Sequence, residues 1–260
     1  MSWFEHGEST IYYEEEGQGH PVLFLPGWSE SIDEFASLRG ALAAQFRVIS
    51  ADLPGSGRSG PQPRAYPPTY YHDDASSLHA LIERLGTGSA HVVGFSDGGE
   101  IALVMAEQDA PAVRSVSAWG AAGSIAAPEE TIDMFAALID SPAPGMEGFS
   151  EHLKAKYGID NARKMTRNVA AAWRAILSGG GDIARAGVGT ITAPTLLITG
   201  EEDFLAPPPV VSEFAAAIPG ARFEEVKGAG HSVHESHGAW LNQTILEFIR
   251  EHTPSAQTTA

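Results

Sequence analysis

The stretch Gly94-Phe95-Ser96-Asp97-Gly98-Gly99 decides the fold, because it joins two segments of different character. Residues 90–93 are mostly apolar and typical of a buried strand, and residues 100–106 have the composition of a buried helix. A strand and a helix that meet at a serine need a sharp turn, in which small neighbours let the two elements approach closely. The pattern predicts a nucleophile elbow that exposes the Ser96 hydroxyl.

Two later loops supply the partners that such a serine needs. Gly200-Glu201-Glu202-Asp203 follows an apolar run at 194–199, and Gly228-Ala229-Gly230-His231 follows a strand-like run at 222–226. A serine hydroxyl is a poor nucleophile without an adjacent base. The chain order serine, acid, histidine therefore predicts a triad in which Ser96 attacks, His231 accepts the proton and Asp203 orients the imidazole.

Both partner loops contain rival residues. Glu201 and Glu202 compete with Asp203, but they lie closer to the end of the strand than a group reaching toward His231 should. His234 and His237 follow His231 at spacings of three, and a three-histidine metal site is the alternative function. Because this segment is a loop entering a helix, we predict capping and surface polarity for both residues. The sequence assigns no metal ligand and no cofactor.

A second glycine turn at 25–29, Leu-Pro-Gly-Trp-Ser, follows another apolar strand. The oxygen of a tetrahedral intermediate needs preorganised backbone donors, one after the nucleophile and one in this type of loop. We predict that the amides of Asp97 and Trp28 form the oxyanion hole. Pro-Gly is also a simple turn signal, so the loop alone would not assign this role.

Short apolar runs alternate with helical patterns along most of the chain, which predicts a doubly wound, mostly parallel α/β sheet with an antiparallel N-terminal edge. Helices are expected at 32–46, 75–85, 100–108 and 239–252. Residues 124–189 lack strand signals and contain helical patterns, so we predict a helical cap inserted into a core of residues 1–123 and 190–260. The cap contains four aromatic residues that could pack on the core or line a pocket, and we expect most of them to pack on the core: Phe135, Phe149, Tyr157 and Trp173. The tail from Thr253 to Ala260 is expected to be disordered.

Composition excludes several classes of function. The chain of 260 residues has no cysteine, which removes disulfide and thiolate chemistry, and a net charge of -17, which disfavours nucleic acid and anionic membranes as partners. The N-terminal residues show no signal peptide and no segment is apolar enough to span a membrane. The expected protein is soluble and cytoplasmic and acts on a small molecule, while homo-oligomerisation is left open.

With these motifs in place, the chain is identified as a member of the α/β-hydrolase family. Residues 52–59, Asp-Leu-Pro-Gly-Ser-Gly-Arg-Ser, resemble the loop that follows the fourth strand in that family, and the helical insertion lies where the family places its cap. The resemblance implies a serine hydrolase, most simply a carboxylic ester hydrolase. Serine at position 96 disagrees with epoxide hydrolase and haloalkane dehalogenase chemistry, whose proteins carry aspartate there.

Within the family, the elbow and Trp119-Gly120-Ala121 resemble the valacyclovir hydrolase group, which cleaves α-amino acid esters. That resemblance implies that the Asp97 side chain recognises the substrate's ammonium, and we also expect Trp119 and Trp173 to contact substrate. The alternative for Asp97 is a favourable position in the first turn of a helix. Three other functions stay open: cofactor-free perhydrolase chemistry, carbon-carbon or lactone hydrolysis, and a ligand-binding receptor without catalysis.

Overall fold

The computed structural model describes residues 1–254 and contains a single sheet flanked by helices. The expected disorder of residues 255–260 lies outside the described residues. In chain order the main elements are β1 (Ser2–His6), β2 (Ser9–Glu16), β3 (Pro21–Leu25), α1 (Ala36–Ala43), β4 (Arg47–Ala51), α2 (Tyr70–Arg84), β5 (Ala90–Phe95), α3 (Asp97–Gln108), β6 (Val113–Trp119), α4 (Glu129–Ala137), α5 (Glu147–Tyr157), α6 (Ile159–Ser178), β7 (Thr195–Gly200), α7 (Pro208–Ala217), β8 (Arg222–Val226), α8 (Val233–Ser236) and α9 (Gly238–Glu251).

The strand order is β1-β2-β4-β3-β5-β6-β7-β8, and all neighbouring pairs from β4 to β8 are parallel. β1 and β2 form the antiparallel edge. This confirms the predicted fold class. The chain leaves β3 toward β4 on one side and returns to β5 on the other, so the order reverses between β3 and β5. A crevice opens at such a reversal beyond the carboxyl ends of the strands, where ligands bind in open α/β sheets.

Alternation along the central strands divides the core between the two faces of the sheet. Leu23 and Val92 face the layer that contains α2, α3 and α7, whereas Phe24 and Val93 face α1 and α9. Both faces of the central strands are therefore buried, as expected for a parallel sheet covered by helices. This double packing holds the carboxyl ends of the strands in fixed positions.

Helices α4, α5 and α6 lie between β6 and β7 and form the helical insertion, and the two chain segments that enter and leave it are bonded to each other. The Ile125 amide donates to the Gly181 carbonyl at 2.8 Å, and the Ile183 amide donates to the Gly123 carbonyl at 3.1 Å. The bonded residues are 123–125, at the start of the segment predicted as a cap, and 181–183, before its predicted end at 189. The division into a core of 1–123 and 190–260 and a cap of 124–189 stays a prediction.

Several element boundaries differ from the sequence predictions. The expected helix at 32–46 is a 3-10 turn at Ile32–Phe35 followed by α1, because Phe35 leaves the α-helical region at φ -112° and ψ 26°. Helix α2 begins at Tyr70, five residues before the predicted start. Thr253 is not disordered, since its hydroxyl donates to the Ile249 carbonyl at 2.7 Å. Within residues 1–254, no helix combines the length and apolar character that a membrane span requires.

Candidate active site

Ser96 occupies the sharp turn between β5 and α3 in a backbone conformation that non-glycine residues rarely adopt, with φ 50° and ψ -120°. The neighbouring glycines allow the close approach. A Cβ on Gly94 would lie 2.2 Å from the Gly98 carbonyl oxygen, and one on Gly98 would lie 2.4 Å from the Leu25 and Pro26 carbonyl oxygens. The turn is thus the predicted elbow in its geometry, and it lies beside the loop after β3.

The strain at position 96 gives a prediction about stability. Strain at such a φ costs a non-glycine residue of order 1–3 kcal/mol of stability. Glycine relieves this strain, but its greater conformational entropy in the unfolded chain offsets part of the gain. We expect the free energy of unfolding of Ser96→Gly to be about 1 kcal/mol higher than that of Ser96→Ala, because glycine adopts this φ without strain. Both variants lose the hydroxyl, so its loss cancels in the comparison. Urea denaturation of the two variants measures the difference. Equal stabilities would mean that the elbow stores no strain.

His231 bridges the other two predicted triad residues. Its Nε2 lies 3.0 Å from Ser96 Oγ, and its Nδ1 lies 3.0 and 2.9 Å from the two carboxylate oxygens of Asp203. Asp203 is buried and also accepts the amides of Leu205 and Ala206, both at 2.9 Å. With Nδ1–H donating to the carboxylate, Nε2 is free to accept the Ser96 proton. The three residues come from the loops after β5, β7 and β8.

The rivals for these positions lie elsewhere. Glu201 and Glu202 are exposed, and Glu201 accepts the Gly228 amide at 3.0 Å. His234 does not provide surface polarity as predicted: its ring packs 4.6 Å from the Phe95 ring centroid and its Nδ1 accepts the Trp119 indole N–H at 3.2 Å. Burial lowers the pKa of His234 to about 4. In residues 1–254, no group of three histidine, cysteine, aspartate or glutamate side chains is placed to hold a metal ion.

The two predicted oxyanion donors flank the nucleophile. Asp97 begins α3, and Trp28 lies in the turn after β3, against which the first turn of α3 packs. Neither the Trp28 amide nor the Asp97 amide donates a hydrogen bond to another residue in the described part of the chain. Their role as an oxyanion hole stays a prediction.

A cavity of about 480 Å³ opens above the serine between the sheet and the helical insertion. One wall is apolar and includes four aromatic rings that contact one another edge to face: Trp28, Phe135, Phe149 and Trp173. Phe135, Phe149 and Trp173 thus line the cavity. All four aromatic residues of the insertion also pack in or against the hydrophobic core, as expected, and Tyr157 lies outside the cavity lining.

The sequence model of the Alpha/beta hydrolase family matches residues 22–244, which span the sheet, the elbow and the loops of the site. The chain belongs to the alpha/beta hydrolase family. Mouse serine hydrolase BPHL is 26% identical to this hydrolase over 92% of the chain and 83% of its own length. The non-heme haloperoxidase of Rhodococcus erythropolis is 25% identical over 93% of the chain and 96% of its own length.

The fold of this hydrolase is similar to that of the enol-lactonase from Burkholderia xenovorans LB400. The two structures have a TM-score of 0.78 and 20% sequence identity, and the match covers 96% of this chain and 100% of the other. At this identity the likeness shows the shared fold alone.

A recess of about 50 Å³ adjoins Ser96 and His231 and contains the Asp97 side chain on its wall. The carboxylate of Asp97 accepts the hydroxyl of Tyr70 at 3.0 Å and that of Tyr71 at 2.9 Å. Burial raises the pKa of Asp97 to about 6, against the opposing effect of the two hydroxyls. Sequence reasoning missed both tyrosines, because α2 was expected to begin after them.

The two tryptophans predicted to contact substrate occupy different environments. Trp173 lines both the cavity and the recess, and its indole N–H donates to Tyr70 at 2.9 Å. Trp119 is 0% exposed and packs with Phe35 and Phe95 on the α1 and α9 face of the sheet, away from the lining of either space. The prediction of substrate contact for Trp119 is corrected accordingly.

The glycine after Trp119 has a direct relation to the site. Gly120 has φ 65°, and a Cβ there would lie 2.8 Å from Cε1 of His231. Only a residue without a side chain leaves room for the imidazole at this point. Gly120 therefore leaves room for the His231 ring, and Trp119 packs in the core beneath the site.

The acidic side of the cavity carries less negative charge than its three glutamate side chains would have if all were ionised and unpaired. It contains Glu30, Glu34 and Glu235. Burial raises the pKa of Glu30 to about 8, although its carboxylate accepts the Gly27 amide, so this group is mostly protonated at neutral pH. Glu34 forms an ion pair with Lys156. The cavity thus suits uncharged or cationic molecules better than anions.

Proposed function

We propose that this protein is a serine hydrolase that cleaves small-molecule carboxylic esters through an acyl-enzyme. The observation that carries the proposal is the placement of the His231 ring within hydrogen-bond distance of both Ser96 and Asp203. A nucleophile, a base within reach and an acid that orients the base are the parts that acyl transfer requires. The adjoining cavity provides space for a small substrate.

In the first half of the reaction, Ser96 Oγ forms a bond to the ester carbonyl carbon while its proton passes to His231 Nε2. The carbonyl oxygen takes the electron pair and is stabilised by the amides of Trp28 and Asp97. When the intermediate collapses, the carbon-oxygen bond to the alcohol breaks and the alcohol takes the proton from His231. The acyl group stays on Ser96.

Deacylation repeats these steps with water as the nucleophile. Water gives a proton to His231 Nε2 as its oxygen bonds to the acyl carbon, and Ser96 Oγ leaves with that proton. The products are a carboxylic acid and the free serine. The negative charge of Asp203 stabilises the imidazolium that forms in each half.

The experiment for this function is hydrolysis of matched esters at neutral pH, with short acyl, long acyl, aromatic and α-aminoacyl groups on one activated alcohol. Release of the alcohol measures turnover. We expect turnover of at least one class, lost on treatment with a serine-directed fluorophosphonate. Failure to hydrolyse any ester, or turnover that survives complete modification of Ser96, would overturn the proposal.

We further propose α-amino acid esters as the favoured class. The recess beside Ser96 is too small for a large group, and Asp97, Glu100 and Tyr71 give it an acidic and hydrogen-bonding wall. Burial raises the pKa of Glu100 to about 8, so this group is mostly protonated at neutral pH. Asp97, with a pKa of about 6, is mostly ionised there and is the carboxylate that can pair with an ammonium. The aromatic wall of the larger cavity would then contact the remainder of the ester.

A substitution at Asp97 separates these substrates. We expect Asp97→Asn to raise KM for aminoacyl esters about tenfold or more, because it removes the charge that pairs with the ammonium in a buried site. KM for the matching simple acyl ester, which lacks the amine, should change little. Steady-state kinetics on the ester pair measures both effects. Equal changes in the two KM values would contradict the proposed role of Asp97.

The raised pKa of Asp97 predicts a pH effect on selectivity. Asp97 is ionised only above a pH of about 6, so its attraction for an ammonium is present at pH 7 and lost as the pH falls through 6. The ratio of kcat/KM for the aminoacyl ester to that for the simple ester should rise between pH 5 and pH 7. Taking the ratio cancels pH effects that act equally on the two esters. A flat ratio would show that Asp97 ionisation does not govern selectivity.

A further inference from the structure

The C-terminal end of cap helix α5 reaches the loop that carries one of the proposed oxyanion donors. The Tyr157 hydroxyl donates to the Ser29 carbonyl at 2.7 Å and accepts the Gly57 amide at 2.7 Å. The Lys156 ammonium donates to the same Ser29 carbonyl at 3.0 Å. One helix end thus bonds to the loop after β3 and to the loop after β4.

The loop that Tyr157 contacts is a strained turn. Trp28 and Ser29 are its two central residues, since the Glu30 amide donates to the Gly27 carbonyl at 3.2 Å. Ser29 has φ 66°, a left-handed conformation that is uncommon for a residue with a side chain. Such conformations persist where surrounding bonds hold them. Around Ser29 those bonds are its amide to Ser56 Oγ, at 2.9 Å, and its carbonyl to the helix α5 residues.

We propose that Tyr157, together with Lys156, is a positioning residue for the oxyanion hole. The cap fixes the Ser29 carbonyl, the fixed carbonyl holds the turn, and the turn directs the Trp28 amide toward the oxygen beside Ser96. Full oxyanion stabilisation then requires that α5 is docked on the core. This inference rests on the proposed function for the identity of the reaction, but the positioning itself is a property of the loop.

The chain contains a matched control for this contact. Asn168 on α6 also joins the cap to the core, donating from its side-chain amide to the Arg64 carbonyl at 2.7 Å. Among residues 1–254 it forms no hydrogen bond with the Trp28 turn or with the triad residues. Asn168→Leu therefore removes a cap-to-core hydrogen bond without releasing the Ser29 carbonyl, whereas Tyr157→Phe keeps the ring and removes the hydroxyl at the oxyanion loop.

The test is the rate at which an alkyl fluorophosphonate modifies Ser96 in the full chain, followed by intact mass. In this step Ser96 Oγ bonds to phosphorus, fluoride leaves, and the serine proton passes to His231. The phosphoryl oxygen occupies the oxyanion hole, so the rate reports on the hole without any ester substrate. Ser96→Ala identifies labelling at other residues. Kinetics on a small acetyl ester and thermal unfolding accompany the labelling for each variant.

We expect Tyr157→Phe to slow labelling about tenfold, less than the 10²–10³ typical of deleting a donor outright, because Lys156 still holds the carbonyl. Lys156→Met should slow it as well, and the double variant more than either. The loss on the acetyl ester should appear in kcat with KM little changed, and Asn168→Leu should match the wild type in rate.

Unchanged labelling in the double variant would overturn the inference, as would an equal loss in Asn168→Leu at similar stability. An effect confined to KM would also contradict it, because a displaced oxyanion donor acts in the transition state. If labelling slows as expected while no ester is hydrolysed, the positioning role stands and the proposed ester chemistry fails. If esters are hydrolysed and labelling is unaffected, the proposed function stands and the positioning role fails.

Discussion

Ser96→Ala is expected to lower kcat for the best ester by at least about 10⁴-fold, because it removes the atom that bonds to the acyl group. Any residual rate would come from water activated by His231 beside an intact oxyanion hole. The measurement is single-turnover or steady-state release of the alcohol at high enzyme concentration. The fold should be retained, since alanine keeps the backbone constraints of the elbow apart from the hydroxyl.

Ser117→Ala is the matched control for this loss. Ser117 lies on β6, the strand next to the elbow strand, where its hydroxyl is buried without a hydrogen-bond partner among the described residues. Its removal should leave both turnover and folding close to wild type. A Ser96→Ala protein that folds and keeps more than about a tenth of the wild-type kcat would exclude Ser96 as the nucleophile.

Asp203→Asn is expected to lower kcat by about 10⁴-fold while leaving KM nearly unchanged. The carboxylate accepts the Nδ1 proton of His231 and, through Oδ1, the amides of Leu205 and Ala206. To keep those two amides bonded, asparagine must direct its oxygen toward them and its NH₂ group toward Nδ1. The imidazole is then held in the wrong tautomer, with its proton on Nε2 facing Ser96.

Glu202→Gln is the control, because this exposed neighbour carries the same charge in the same loop. It should retain wild-type kinetics. Loss of activity in Glu202→Gln with retention in Asp203→Asn would transfer the acid's role to Glu202. Similar losses in both variants would point instead to the overall charge of the loop.

Local signals were sufficient to predict the fold and to select the three residues that the structure brings together around His231. The apolar runs at 21–25 and 47–51 and the strand-like run at 222–226 are strands with those same boundaries, and each triad candidate directly follows a predicted strand or its loop. In a parallel sheet the carboxyl ends of all strands meet at one edge, so chain order alone brings residues 96, 203 and 231 together. Asp203 could be chosen over Glu202 from the reach of its loop.

The surroundings of the triad depend on long-range packing that no local pattern reports. The tyrosines that bond to Asp97 come from a different helix, 26 and 27 residues away in sequence, and Tyr157 meets Ser29 across 128 residues. The orientation of Trp119 could have been predicted from the alternation of side chains along its strand. Side chains alternate along a strand, and Ala118 packs on the opposite face, so the strand register decides that the indole points away from the cavity.

If the acyl group of an ester is transferred to Ser96, an acyl group that hydrolyses slowly should accumulate on that residue. An activated aryl carbamate transfers its carbamoyl group to Ser96 and releases a phenol. Because the carbamoyl group is hydrolysed from the serine slowly, the adduct accumulates. We expect a burst of one phenol per chain and a carbamoyl group on the peptide that contains Ser96, both absent in Ser96→Ala. Steady ester hydrolysis with no burst and no adduct on Ser96, or an adduct on another residue, would contradict a covalent intermediate on Ser96.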